Sequence, residues 1–216
     1  MNETLRGRDA PLSDTDPGQT SAGQTSAGQT NADLLDAVQR GDPEAFDVFA
    51  RRYGRGLLTF GTMMCGHRED AEDVAQETLI RAFQGLAALR DPEAVRTWLY
   101  RVAANQCRMQ RRKWPPRREV SLAELESAED AGGGVMALVD DASLPEDEAA
   151  RAEWRRVLEA ALLELPTETR LAIVLRDIQG LSTRETAAAL DIGLSAVKMR
   201  LHRGREALRQ RLDSLR

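Results

Sequence analysis

Cysteine is nearly missing from this chain of 216 residues: Cys65 and Cys107 are the only two, so no disulfide framework can be drawn and a reducing interior is the easier setting. Long hydrophobic runs are missing too. The longest charge-free apolar stretch, Gly56 to Gly66, falls far short of the ~20 residues that a membrane span needs. The amino terminus, Met1-Asn-Glu-Thr-Leu-Arg6, has no signal-peptide core, so a soluble cytoplasmic protein without membrane insertion is expected. There is no phosphate-binding glycine loop, no pair of acids in an apolar setting and no nucleophile with a placed histidine, which argues against an enzyme and against a cofactor. Cys65-Gly-His67 has metal-ligand chemistry, but a structural zinc usually takes four ligands and the only other histidine is His202. No metal is expected, and the two thiols read as buried or incidental. Aromatic residues are few, and all but Trp154 lie between Phe46 and Trp114.

What the chain does have is charge, unevenly placed. The net charge of −5 alone would argue against a nucleic-acid partner, but it averages over opposed segments. Between Ala94 and Arg118 eight bases and no acid give +8, and between Leu194 and Arg216 seven bases against two acids give +5. Residues 119–148 hold ten acids and no base, together with the run Gly132-Gly-Gly134. Basic helices this dense neutralise phosphates by releasing condensed counterions, whereas an ordinary solvated helix mixes both signs.

The apolar spacing divides the chain. Residues 1–31 carry the repeat Gly18-Gln-Thr-Ser-Ala22, Gly23-Gln-Thr-Ser-Ala27 and bury almost nothing, so they read as a disordered tail. Residues 32–113 fit helices over about 32–40, 43–62, 70–87 and 94–113, with Pro43 in a first turn. Residues 114–144 read as a flexible acidic linker. Residues 145–216 begin with the Ser143-to-Glu146 capping-box spacing and fit helices from about 146 to 163, from Pro166 to near Gly180, from Thr183 to Leu190 and from about Ser195 to Leu212. No hairpin signal or sustained alternation occurs, which predicts an all-α fold of two small helical domains.

On the last helix Val197, Leu201, Gly204, Leu208 and Leu212 form the seam to be buried, which turns Ser195, Met199, His202, Arg203 and Glu206 outward. The Ala-rich helix before it ends in the tight turn Asp191-Ile-Gly193. This is helix-turn-helix spacing, whose second helix enters the major groove. Arg203 is then placed for a bidentate pair with guanine, and Lys198 and Arg200 for phosphates. On the other basic helix, Tyr100, Arg101, Asn105 and Arg108 share a polar face on which Asn can pair with a base edge and the arginines with phosphates. The helix from Asp70 to Phe83 buries Ala71, Val74, Thr78 and Ala82 and turns Asp73, Gln76, Glu77 and Ile80 outward. Phe46, Phe49, Tyr53, Phe83 and Trp98 sit at core spacing.

The segment Gly180 to Arg209 resembles region four of the extracytoplasmic-function (ECF) sigma factors, and Asp70 to Phe83 and Thr97 to Cys107 resemble region two of the same family. The turn departs from the family pattern, with Asp191 for the usual Gly, Gly193 for the usual Ser cap and Ser195-Ala196 for Gly-Thr. Asp tolerates left-handed backbone and Gly is an acceptable cap, so the turn is expected to survive. The resemblance implies a dissociable RNA polymerase subunit that directs promoter-specific initiation, with core RNA polymerase (clamp and flap) and promoter DNA (duplex and melted single strand) as partners, and an anti-sigma factor beside them. It gives Asp73, Gln76 and Glu77 the clamp contact. It gives the loop with Arg90 and Asp91, with Tyr100, Arg101, Asn105 and Arg108 beyond it, the melted minus-ten strand. It gives Ser195, Lys198, Met199, Arg200, His202 and Arg203 the duplex minus-thirty-five element. A stand-alone helix-turn-helix regulator is the alternative that the basic helices alone would allow. A flexible tether fixes no distance between two DNA sites, so docking of both domains on the polymerase is expected to set their spacing.

Overall fold

The computed structural model describes residues 30–111 and 148–213. The repeat-bearing tail, the acidic linker and the Ser143-to-Glu146 capping box lie outside the described residues. Within them the chain is helices and turns, with no strand.

Four helices build the first half: α1 (Asn31–Gln39), α2 (Pro43–Cys65), α3 (Arg68–Gly85) and α4 (Ala94–Arg111), with one 3₁₀ turn at Leu86–Ala88. Their starts follow local chemistry. Thr30 accepts from the Asp33 amide at 3.1 Å while the Asp33 carboxylate accepts from the Thr30 amide at 3.0 Å, a reciprocal cap. Asp42 accepts from the Glu44 amide at 2.9 Å, ahead of Pro43 in the first turn. α2 runs past the expected stop at 62 because Met63, Met64 and Cys65 are all buried, and it ends where Gly66 takes the left-handed conformation at φ 73°. Phe49, Leu57, Phe60, Val74, Leu86 and Leu99 fill the space between these helices. α2 and α3 approach closely at Gly61, where a Cβ would stand 2.7 Å from the Ala71 carbonyl oxygen.

The second half comprises α5 (Glu148–Glu164), α6 (Thr167–Ile173), α7 (Thr183–Leu190) and α8 (Leu194–Asp213). α6 runs on into a π-helical turn, Val174–Ile178, closed by the Gln179 amide donating to the Val174 carbonyl at 2.8 Å. Leu162, Leu171, Ile173, Leu175, Leu181 and Leu208 form its centre. α8 lies tight on α6, since a Cβ on Gly204 would meet Ile173 Cγ1 and Thr169 Cγ2 at 2.8 Å each.

The two halves share one apolar core and pack on each other, chiefly through α4 against α7 and α2 against α5. Two expectations are corrected here. Phe83 is no core residue: it is 62% exposed and only its edge meets Phe46, at 4.9 Å between ring centroids and 78° between planes. Tyr100 is not on an open polar face but 5% exposed, 5.7 Å from the Phe60 ring, because the second half of the chain covers that side of α4. Spacing along one helix reports which side is apolar, and a side covered by a remote segment looks polar until the segment is placed.

Candidate nucleic-acid interface

The helix-turn-helix is built from α7 and α8. Ser182 caps α7, accepting from the Glu185 amide at 3.2 Å while the Glu185 carboxylate accepts from the Ser182 amide at 2.7 Å. Asp191 ends it in the left-handed region, φ 58° and ψ 49°, the conformation that Asp tolerates better than most side chains. The Gly193 carbonyl accepts the first α8 bond, from the Val197 amide at 3.1 Å. Val197, Leu201, Gly204, Leu208 and Leu212 are buried as the spacing predicts. That fixes the opposite side. Ser195, Lys198 and Met199 are exposed in its first turns, and Arg200, His202 and Arg203 are half-buried along it.

On α4, Arg101 and Asn105 are exposed, and Arg90 and Asp91 stand exposed on the loop before it. Arg108 is engaged. Its Nε and Nη2 donate to the two carboxylate oxygens of Glu168 at 2.9 Å each, and its Nη1 donates to Asn105 Oδ1 at 3.2 Å. Arg200, from the recognition helix, donates Nη1 to the same Glu168 at 3.0 Å. The hydrogen bond from Arg108, with the charge of both arginines behind it, holds the Glu168 carboxyl below the usual carboxylate range. Tyr100 donates to Gln179 Oε1 at 2.5 Å, and burial pushes its phenol up to about 12, so it stays a donor at any ordinary pH. Arg96 donates to the Gln179 carbonyl.

The minus-ten and minus-thirty-five candidates are therefore not all free surfaces. Glu168 and Gln179, which the sequence reading did not single out, hold three of the basic and phenolic groups on α4. Nothing in local spacing marks Glu168, which reads as an ordinary first-turn acid. Arg170 was also passed over although its setting is a signal: it is a base within the buried run Thr169 to Leu175. It is 6% exposed and donates to the carbonyls of Leu163 at 2.7 Å, Leu165 at 2.8 Å and, across the halves, Met64 at 2.8 Å.

α3 presents a different surface. Asp73, Gln76 and Ile80 are exposed, and Glu77 is half-buried and paired with Arg81 at 2.8 Å. Phe83 continues the same outward stripe, so the acidic and amide face carries two apolar side chains. Among the described residues no group of side chains could hold a metal, and Cys65 and Cys107 are buried as expected.

The sequence profile of Sigma-70 region 2 matches residues 49–114, and that of Sigma-70, region 4 matches residues 155–208. The RNA polymerase sigma-H factor of Pseudomonas aeruginosa is 34% identical over 185 residues, covering 84% of this chain and 93% of that protein. The chain belongs to the ECF sigma factors. The ECF RNA polymerase sigma-E factor of Escherichia coli K12 is likewise 32% identical over 185 residues, 84% of this sigma factor and 94% of the relative. CnrH, solved in complex with the cytosolic domain of CnrY, matches with a TM-score of 0.60 at 27% identity, over 84% of this chain and 96% of that one. The sigma factor RpoE from Bartonella quintana, solved with the anti-sigma factor NepR, shares the fold at 22% identity and a TM-score of 0.57. The region 2 match thus runs from within α2 through α4, and the region 4 match from within α5 to within α8. The family works in transcription initiation and is not enzymatic. No described helix is long and apolar enough to cross a membrane.

Proposed function

We propose that this sigma factor, in the cytoplasm, docks on the clamp of core RNA polymerase through Asp73, Gln76 and Glu77, captures the melted minus-ten strand with region two and reads the minus-thirty-five duplex with region four. The observation that carries the reading is the pairing, in one chain, of an acidic outward face on α3 with two basic helices, α4 and α8, that end the two halves. An acidic and amide face suits a basic protein surface and repels DNA; the basic helices attract it. Ile80 and Phe83, 46% and 62% exposed on that face, supply the apolar area that a stable protein contact buries. On α4 and its preceding loop, Arg90, Asp91, Arg101 and Asn105 are already open to a strand, and Tyr100 and Arg108 join them when region four moves away. On α8, Arg203 reads bases, Lys198 and Arg200 hold phosphates, and Ser195, Met199 and His202 line the same side.

The domain bounds that go with this reading are 1–31 for the tail, 32–113 for region two, 114–144 for the linker and 145–216 for region four. The polymerase flap is the protein contact of region four. An anti-sigma factor is a fitting regulator, since RpoE was solved with the anti-sigma factor NepR and CnrH with the cytosolic domain of CnrY. The stand-alone regulator is not favoured, because it has no use for the α3 face.

In vitro transcription with core polymerase on a genomic promoter library tests the reading. Transcripts that start at discrete sites only when the sigma factor is added are the expected result. Tight promoter binding by the free protein, with no effect on core polymerase, would favour the regulator.

A further inference from the structure

Part of the face of region two assigned above to the melted strand, at Tyr100 and Arg108, is occupied, and its occupant is region four of the same chain. We propose that Glu168 and Gln179 form a latch that closes the free sigma factor and competes with DNA for the groups on α4; this rests on the reading of Tyr100 and Arg108 as strand-facing.

The latch has two points. At one end of α4, Gln179 accepts from Tyr100 through its side chain and from Arg96 through its carbonyl. At the other end, Glu168 takes both prongs of Arg108 at 2.9 Å. Glu168 also takes Arg200 at 3.0 Å, so one carboxylate engages an arginine from each DNA-reading surface at once. A DNA phosphate, like that carboxylate, offers two anionic oxygens to the arginine fork, and one fork cannot serve both at once.

Local structure places both points. Glu168 stands in the first turn of α6, and Gln179 follows the π turn that ends the same helical run. A π turn inside a helical run is frequent at functional sites, and this one ends directly at Gln179. Gly56 on α2 completes the fit, because a Cβ there would meet Tyr100 Oη at 2.8 Å and Gln179 Oε1 at 3.6 Å.

The strength suits a latch that must open. The side chains of Arg108, Arg200 and Glu168 are 29%, 27% and 44% exposed, so water screens the pairs and each adds little by itself. Buried apolar packing between α4 and α7 brings the halves together, and the carboxylate and amide fix which face is covered. Docking of both domains on polymerase would exchange these contacts for protein and phosphate contacts of similar kind.

The test compares the full chain with its Glu168→Ala/Gln179→Ala variant, and with Gln179→Ala alone in case the double variant folds poorly. The probe is a promoter single strand that the wild-type holoenzyme has selected from a random library. An open fraction of about one tenth in the wild type would weaken its strand binding about tenfold, so the free variant should bind about tenfold tighter. Both holoenzymes should bind alike, and small-angle scattering should find the free wild type compact and the variant expanded. Equal strand affinity of the two free proteins, or a wild type as expanded as the variant, overturns the latch. A holoenzyme that retains no strand through region two overturns the functional reading instead, and scattering still decides whether these two residues hold the domains together.

Discussion

Asp177 lies under Arg205: Arg205 Nε and Nη2 donate to its two carboxylate oxygens at 3.0 and 2.7 Å, and the Asp177 side chain is 2% exposed. The pair ties the π turn to the middle of the recognition helix. An arginine that sequence reading counts toward the basic charge of α8 is in fact spent inside the domain. Arg205 therefore belongs to the fold, and the charge offered to DNA is carried by its neighbours.

Asp177→Ala should accordingly destabilise region four by about 3 kcal/mol, the low end for breaking a buried pair, since Arg205 keeps part of its side chain in water. Urea unfolding of the full chain checks this. A loss under about 0.5 kcal/mol would show the pair to be no more than a surface contact.

Reversal of Asp73 and Glu77 to Arg, with Gln76→Ala, should abolish binding to core polymerase and leave the fold intact. Asp73 and Gln76 are exposed, and the pair that Glu77 makes with Arg81 is a solvent-screened i,i+4 contact worth about 0.3–0.5 kcal/mol. Gel filtration with core polymerase reads the outcome. Undiminished co-elution of the triple variant would remove α3 from the interface.

The Cys107 thiol makes a prediction in pH. Cys107 is hydrogen-bonded to Cys65, and that bond together with burial pushes its thiol well above the ordinary range. A raised folded-state value means that the stabilisation is fully present below the unfolded thiol range of about 8.5 and is lost as pH rises through the folded value. Iodoacetamide at pH 8 should therefore leave Cys107 of the folded chain unlabelled on the timescale that labels it in urea, as mass spectrometry would show. Rapid labelling of the native protein would contradict the burial.

How much of this was legible in the sequence depends on how local the cause is. Thr183–Leu190 and the α8 seam follow from caps, a tight turn and a repeating apolar period, all contained within about thirty residues, and the structure reproduces them. Phe83 and Tyr100 went the other way for one reason. Each lies on a helix whose partners come from elsewhere, so periodicity put Phe83 in the core and Tyr100 on a polar face without showing what would cover either. The packing of region four on α4 depends on contacts some sixty to eighty residues apart, such as Arg108 to Glu168 and Tyr100 to Gln179, and no window along the chain contains both ends. The π turn left no mark either, because Val174, Leu175 and Ile178 fit an ordinary helical stripe.

Duplex reading can be divided residue by residue on α8. Lys198 is exposed at its start and Arg203 half-buried farther along, on the side away from the buried seam. A base-reading arginine gains two directed bonds to guanine that the wrong base cannot return, so Arg203→Ala should cost ~1–3 kcal/mol on the preferred site and relax preference at one position. A phosphate-holding lysine gains only the release of a counterion, so Lys198→Ala should weaken every sequence alike and lower the salt slope by about one unit. Arg200 should behave like Lys198 in holoenzyme and differently in the free chain, where Glu168 holds it. Holoenzyme titrations on matched and scrambled minus-thirty-five duplexes at several salt concentrations separate these effects. Equal losses on both duplexes for Arg203→Ala would show that this arginine holds the backbone, and base reading would pass to Ser195, Met199 and His202 on the same side of the helix.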